Sequence, residues 1–122
     1  MALVKAGAKQ LKPDWVPLSA WGVFAMRKED APGDFHFHDC DEYWLITGGK
    51  ARVRSGDEEA VMERGDLVCT EMGALHHTIE VLSEEPFSGI YMEMELRGRK
   101  RTGHLHPGVH PLPTADEIAG SA

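Results

Sequence analysis

Residues 33–49 read Gly33-Asp34-Phe35-His36-Phe37-His38-Asp39-Cys40-Asp41-Glu42-Tyr43-Trp44-Leu45-Ile46-Thr47-Gly48-Gly49. The part from 42 to 47 is a run of aromatic and aliphatic side chains, which suits a pleated, buried strand. Gly48-Gly49 closes it as a hairpin, since glycine takes the positive φ of tight turns at little steric cost. The part before it carries two histidines two residues apart. On an extended chain, residues i and i+2 face the same way, so His36 and His38 present their imidazoles together, and Glu42 shares their parity.

The flanking sequence repeats the strand-and-turn pattern. Strands are expected over 21–27, 51–54, 60–63, 67–70, 76–82 and 87–96, with Ser55-Gly56-Asp57, Arg64-Gly65-Asp66 and Met72-Gly73 turning the chain. Prolines stand at 13, 17, 32, 86, 107, 111 and 113, and none falls between Gly33 and Glu85. Proline cannot donate to a strand ladder, so this spacing marks a continuous antiparallel region. In 87–96 the set Ile90, Met92 and Met94 alternates with Tyr91, Glu93 and Glu95. The apolar set is expected to face the interior and the two glutamates solvent, where a shifted register would make them the natural general base. No window carries a 3.6-residue stripe, and short strands at roughly ten-residue spacing indicate an all-β sandwich or barrel. The expected layout is an N-terminal arm over 1–20, one barrel over 21–97 and an irregular tail over 98–122.

Composition narrows the function. A chain of 122 residues has room for one ordinary domain. Thirteen Lys and Arg against twenty Asp and Glu give a net charge of −7, the wrong sign for a surface that tracks nucleic-acid phosphates. The basic cluster Arg97-Gly98-Arg99-Lys100-Arg101 reads as a solvated tail. No apolar run approaches the roughly 20 residues of a membrane helix, and no secretory signal is evident. Two cysteines, Cys40 and Cys69, are too few for a disulfide framework, so a cytoplasmic location is expected. Cys40 is expected to be inert and Cys69 to lie in the core.

Two histidines and a carboxylate on one strand face form a donor set for a divalent first-row metal such as Fe, Mn, Ni, Zn or Cu. A fourth donor is available at His76 or His77, which have opposite parity, so only one can point inward. Burying three imidazoles and a carboxylate with no cation would be costly.

The motif spacing resembles the cupin superfamily. Its first motif runs His-x-His, three or four residues, Glu, six residues, Gly, and His36, His38, Glu42 and Gly49 match it. Gly65, Gly73 and His76 match the second motif. Glu71 stands where a proline is usual, Glu80 where an asparagine is usual, and Gly33 sits nearer His36 than the leading glycine does. The resemblance spans about 23–96 and implies a small double-stranded β-helix, or jelly-roll barrel, holding one divalent ion through His36, His38, Glu42 and His76. His77 is then an outward or supporting residue.

Such an ion keeps open coordination positions for a small molecule. The expectation is a metal-dependent enzyme, a dioxygenase-like oxidoreductase, acting on a small organic substrate that chelates the ion. A sugar isomerase, epimerase or lyase is the alternative, or a binder of sugar-like ligands without turnover. Trp44, Ile46 and Met92 are expected to line the substrate pocket. Tyr43 and Leu45 make the strand apolar on its other face too, so a homodimer is expected. His104, His106 and His110 read as a mobile tail.

Overall fold

The computed structural model describes residues 2–7, 11–97, 99 and 101–120. Seven strands follow one another: β1 (Leu18–Met26), β2 (Glu42–Gly48), β3 (Lys50–Ser55), β4 (Glu58–Glu63), β5 (Leu67–Thr70), β6 (His76–Val81) and β7 (Phe87–Met94). One short helix, α1 (Ala115–Gly120), ends the described chain. The strands form two antiparallel sheets, in the orders β1-β7-β2-β5 and β4-β3-β6. This is the all-β double-stranded β-helix expected from the motif spacing, and no described helix is long and apolar enough to cross a membrane.

The sheets meet through alternate residues. Ile46, Val68 and Phe87 from the first pack against Ala51, Val53 and Val81 from the second, with Phe24, Met26 and Trp44 at the margin. The β2–β3 hairpin depends on Gly49, whose φ is +73° and where a Cβ would overlap the Pro86 carbonyl and the Phe87 backbone. Any other residue there would strain the turn or push β7 away.

Two expected boundaries move. β1 starts at Leu18, so the end of the 1–20 arm belongs to the barrel, and of that arm residues 1 and 8–10 lie outside the described residues. The tail is not free. Leu105 is buried and pairs with Phe37, each donating its backbone N–H to the other's carbonyl at 3.0 and 2.8 Å. The basic cluster is also structural, although its Gly98 and Lys100 lie outside the described residues. Arg101 forks onto the buried Asp39 carboxylate at 2.7 and 2.8 Å, and Arg99 donates to the Asp39 carbonyl at 2.6 Å. A buried carboxylate needs such a partner, so Asp39 ties the tail across the mouth of the barrel. The outer face of the first sheet is apolar, with Val23, Leu45 and Leu67 exposed.

Candidate metal centre

Three elements bring the centre together. The segment before β2 pairs with the start of β6, His76 donating its backbone N–H to the His36 carbonyl at 2.9 Å. This sets His36 and His38 beside His76, and Glu42 follows at the first position of β2. Gly73, in the left-handed region at φ +82°, donates its N–H to the His38 carbonyl at 2.9 Å and so fixes the loop before β6. One donor atom from each of His36, His38, Glu42 and His76 lies within 4.8 Å of every other, and all four residues are buried.

Hydrogen bonding fixes the ring tautomers. His36 Nδ1 donates to the Asp34 carbonyl at 2.7 Å, and His38 Nδ1 faces only acceptors, Gly103 O at 2.9 Å and Glu93 Oε1 at 3.1 Å. His76 Nδ1 sits 3.1 Å from Thr70 Oγ1, which lies 2.7 Å from Ser55 Oγ, which in turn donates to the Cys69 carbonyl at 2.8 Å. Ser55 spends its proton on that carbonyl, Thr70 donates to Ser55, and His76 Nδ1 therefore donates to Thr70. All three Nδ1 atoms carry protons, which leaves three Nε2 lone pairs aimed at one point.

Those lone pairs are close. His36 Nε2 is 3.1 Å from His38 Nε2 and 2.9 Å from His76 Nε2. Glu42 Oε1 lies 3.2 Å from His76 Nε2 and 3.6 Å from His38 Nε2. Converging lone pairs repel one another unless a cation stands among them. At metal–ligand bonds of about 2.1 Å, neighbouring donors at right angles are about 3.0 Å apart, the spacing found here. Burial holds His36 and His38 down to about 4 and His76 to about 2, so the imidazoles are in the neutral, ligating form. Burial, with Glu93 nearby, lifts Glu42 to about 8, the behaviour of a carboxylate that lacks its cation. The residues fit a divalent ion.

A cavity of about 430 Å³ opens onto this cluster. Its apolar walls are Phe24, Met26, Trp44 and Tyr91, and Glu93 and His104 also line it. Trp44 lines it and donates its indole N–H to Glu42 Oε1 at 2.9 Å. Ile46 and Met92 do not line it: Ile46 is sealed in the core, and Met92 lies opposite Tyr43 and Trp21 on the outer face. The register of β7 explains the second case. Glu42 pairs with Glu93 and Trp44 with Tyr91, so Tyr91 and Glu93 share the inward face of β2. Glu93, expected in solvent, has a side chain only 15% exposed, and Glu95 is exposed.

His77 is not among the ligands. It lines the cavity rim, donates Nδ1–H to the Gly33 carbonyl at 3.2 Å and meets the Phe35 ring edge-on. Cys40 is buried, and its thiol is pushed up to about 12 by burial and by Glu93 and Glu42. Cys69, expected in the core, is exposed. His104 was missed as a wall residue. Its ring stacks on His36 at 3.7 Å between centroids, and its Nδ1 meets Asp34 Oδ2 at 2.8 Å.

The chain thus has the cupin fold, with the buried ligand cluster at the mouth of the barrel. No family model matches the sequence. The uncharacterized protein y4oW of Sinorhizobium fredii is 39% identical over 104 residues, covering 85% of this chain. That alignment takes in 47% of y4oW, so the chain spans about half the length of this curated relative. Among solved structures, a conserved protein with a double-stranded β-helix domain from Klebsiella pneumoniae aligns over 61% of this chain and 64% of its own, at 20% identity and a TM-score of 0.50. The plu4264 protein of Photorhabdus luminescens aligns over 62% and 59%, at 24% identity and a TM-score of 0.50. The iron(II) form of HppE aligns over 61% and 41%, at 16% identity and a TM-score of 0.52. At these identities the likeness concerns the fold.

Proposed function

We propose that this chain is a metal-dependent enzyme that takes a small organic molecule through the cavity onto an ion held by His36, His38, Glu42 and His76. The observation that carries the reading is the set of three neutral imidazoles whose Nδ1 protons are all committed elsewhere, leaving converging Nε2 lone pairs beside a buried carboxylate. A divalent ion there supplies Lewis acidity toward a carbonyl or hydroxyl oxygen.

The protein's own contribution centres on Glu93. Its carboxylate reaches the cavity beside the ligands and lies 3.1 Å from His38 Nδ1. A carboxylate so placed can take a proton from the carbon next to the activated oxygen and return it to a neighbouring atom. Trp44 and Tyr91 exclude water from that transfer and hold the apolar part of the molecule. Isomerase or lyase chemistry is therefore preferred to the dioxygenase reading. The latter keeps one argument: four protein ligands leave two positions on a six-coordinate ion, enough for a substrate atom and dioxygen.

The test has two parts. Elemental analysis of the protein as purified should find about one divalent ion per chain. The ion-loaded protein, offered a panel of α-hydroxy ketones and aldoses in D2O, should wash deuterium into the carbon beside the carbonyl. Glu93→Gln should retain the ion and exchange about 10²- to 10⁴-fold more slowly. Oxygen uptake without exchange would favour the dioxygenase reading, and a protein that takes up no ion would sink both.

A further inference from the structure

The cavity that opens onto the ligands has engaged polar groups and unengaged apolar ones. Its acids and imidazoles already have partners. Asp34 is held by His104 Nδ1 and His106 Nε2, both at 2.8 Å. Glu93 faces His38 Nδ1 at 3.1 Å and the Glu42 carboxyl, while Glu42 and His36 belong to the ion. His77 gives its Nδ1 proton to the Gly33 carbonyl. Among the described residues, no lysine or arginine lines the space.

The apolar side is continuous. The Trp44 ring lies 5.0 Å from the ring of His76, and the Phe24 ring stands 5.4 Å from Trp44 at a tilt of 54°. Met26 adds its thioether to the same walls. An apolar surface thus begins at a metal ligand and runs on through two rings. The hydroxyls of a sugar chain would exchange water for those ring faces, with no uncommitted acid or imidazole to receive them. A carboxylate or phosphate would meet no cationic side chain, and an ammonium group would have to compete for carboxylates that are already paired. A hydrocarbon tail gains on both counts, leaving water and packing against tilted rings. The volume of about 430 Å³ suits one ring beside a chelating head.

We infer that the substrate is an oxygen chelator with an apolar tail, an aryl ring or a short alkyl chain seated against Trp44, Phe24 and Met26. This rests on the metal-dependent reading above. Among carbonyl compounds it selects aryl and alkyl hydroxy ketones over aldoses.

Three hydroxamates with one chelating head and different tails provide the test: acetohydroxamate (methyl), benzohydroxamate (phenyl) and gluconohydroxamate (polyhydroxyl). Each is titrated by calorimetry into protein loaded with zinc, and each affinity is divided by that of the same probe for zinc in free solution. Benzohydroxamate should bind about tenfold or more tighter than acetohydroxamate, and gluconohydroxamate no tighter than acetohydroxamate. Phe24→Ala should cut the phenyl advantage to about threefold or less while zinc content stays unchanged. Phe24 also packs on Phe87 in the core, so Met26→Ser gives a second variant, expected to cut the advantage about twofold or more. Benzohydroxamate binding no tighter than acetohydroxamate, gluconohydroxamate binding tightest, a phenyl advantage that survives both variants, or none of the three binding to zinc-loaded protein would each overturn the inference and leave the metal centre standing. Failure to load zinc at all would instead defeat the metal-dependent reading on which it rests.

Discussion

The chain contains two His-x-His pairs, and they have different fates. His36 and His38 have side chains 7% and 4% exposed, each gives its Nδ1 proton to an acceptor, and each keeps Nε2 free for a shared point. His104 and His106 are 54% and 41% exposed and close on the single carboxylate of Asp34. The first pair converges on an ion site; the second pins the tail over the mouth of the barrel. Asp34 and His104 also lie within 4.8 Å of a ring nitrogen of His36, but the free lone pair of His36 is the one aimed at His38 and His76. The spacing is identical in both pairs. What separates them is the acceptor waiting behind each ring and the depth at which the ring is held.

The largest effect should come from exchanging a member of one pair and then of the other. His36→Ala removes one of the converging lone pairs, so metal content should fall from about one ion per chain to near zero by elemental analysis. His106→Ala should leave the ion in place and loosen only the tail, seen as faster hydrogen exchange at Leu105. Equal metal loss in both variants would show that the tail pair belongs to the ion site.

How much of this was legible in the sequence follows from the same contrast. The His36, His38 and Glu42 face could be read because strand parity is a local property, whereas parity left His76 and His77 open and His76 was singled out by the resemblance of the Gly65, Gly73 and His76 spacing to the second cupin motif. Glu93 could not. Its strand alternates methionine and isoleucine with tyrosine and glutamate, and the apolar set looks like the interior set. β7 lies between β1 and β2, and the outer face of that sheet is itself apolar, carrying Val23, Leu45 and Met92. The alternation therefore held while its direction was reversed, and register against β2 is a long-range fact. The tail pair was misjudged for a similar reason. Nothing local announces that Asp39 will need Arg101, or that Phe37 will take Leu105 as its strand partner.

An effect of intermediate size is expected from pH on the metal-free protein. The three buried imidazoles sit below their ordinary value of 6.5. Between 6.5 and about 4 the unfolded chain binds protons that the folded one refuses, so their contribution is present above 6.5 and lost on acidification. Glu42 acts in the opposite sense. Held at about 8, it binds a proton in the fold that the unfolded chain releases above 4.5, so its contribution is lost as pH rises toward 8. Three groups outweigh one, so stability after chelation should peak near 6.5 and drop by a few kcal/mol, on the order of the proton-linkage energies, by pH 4.5. Urea melts at pH 4.5, 6.5 and 8, with and without zinc, measure this. Zinc needs Glu42 ionised and should move the optimum above 7, and a metal-free optimum at pH 8 would contradict the assigned burial of these rings. The tail pair, exposed and paired only with Asp34, should add little to the curve.

The smallest of these effects separates the pairs by what stands behind the rings. His76 owes its tautomer to Thr70, which passes the constraint to Ser55 and on to the Cys69 carbonyl. Thr70→Val keeps the shape and volume of the side chain while removing the oxygen that accepts the Nδ1 proton. The ring loses the bond that orients it, and its proton is free to move to Nε2, which silences a ligand without deleting it. Zinc affinity, measured by competition with a chromogenic chelator, should fall about 10- to 100-fold, or about 1.4 to 2.7 kcal/mol. Ser55→Ala should cost less, because Thr70 can still accept from His76 when its own proton has no partner. The exposed pair has no relay of this kind, since water can replace any acceptor it loses. An unchanged zinc affinity in Thr70→Val would mean that burial alone fixes the orientation of His76, and the contrast between the two His-x-His pairs would reduce to depth.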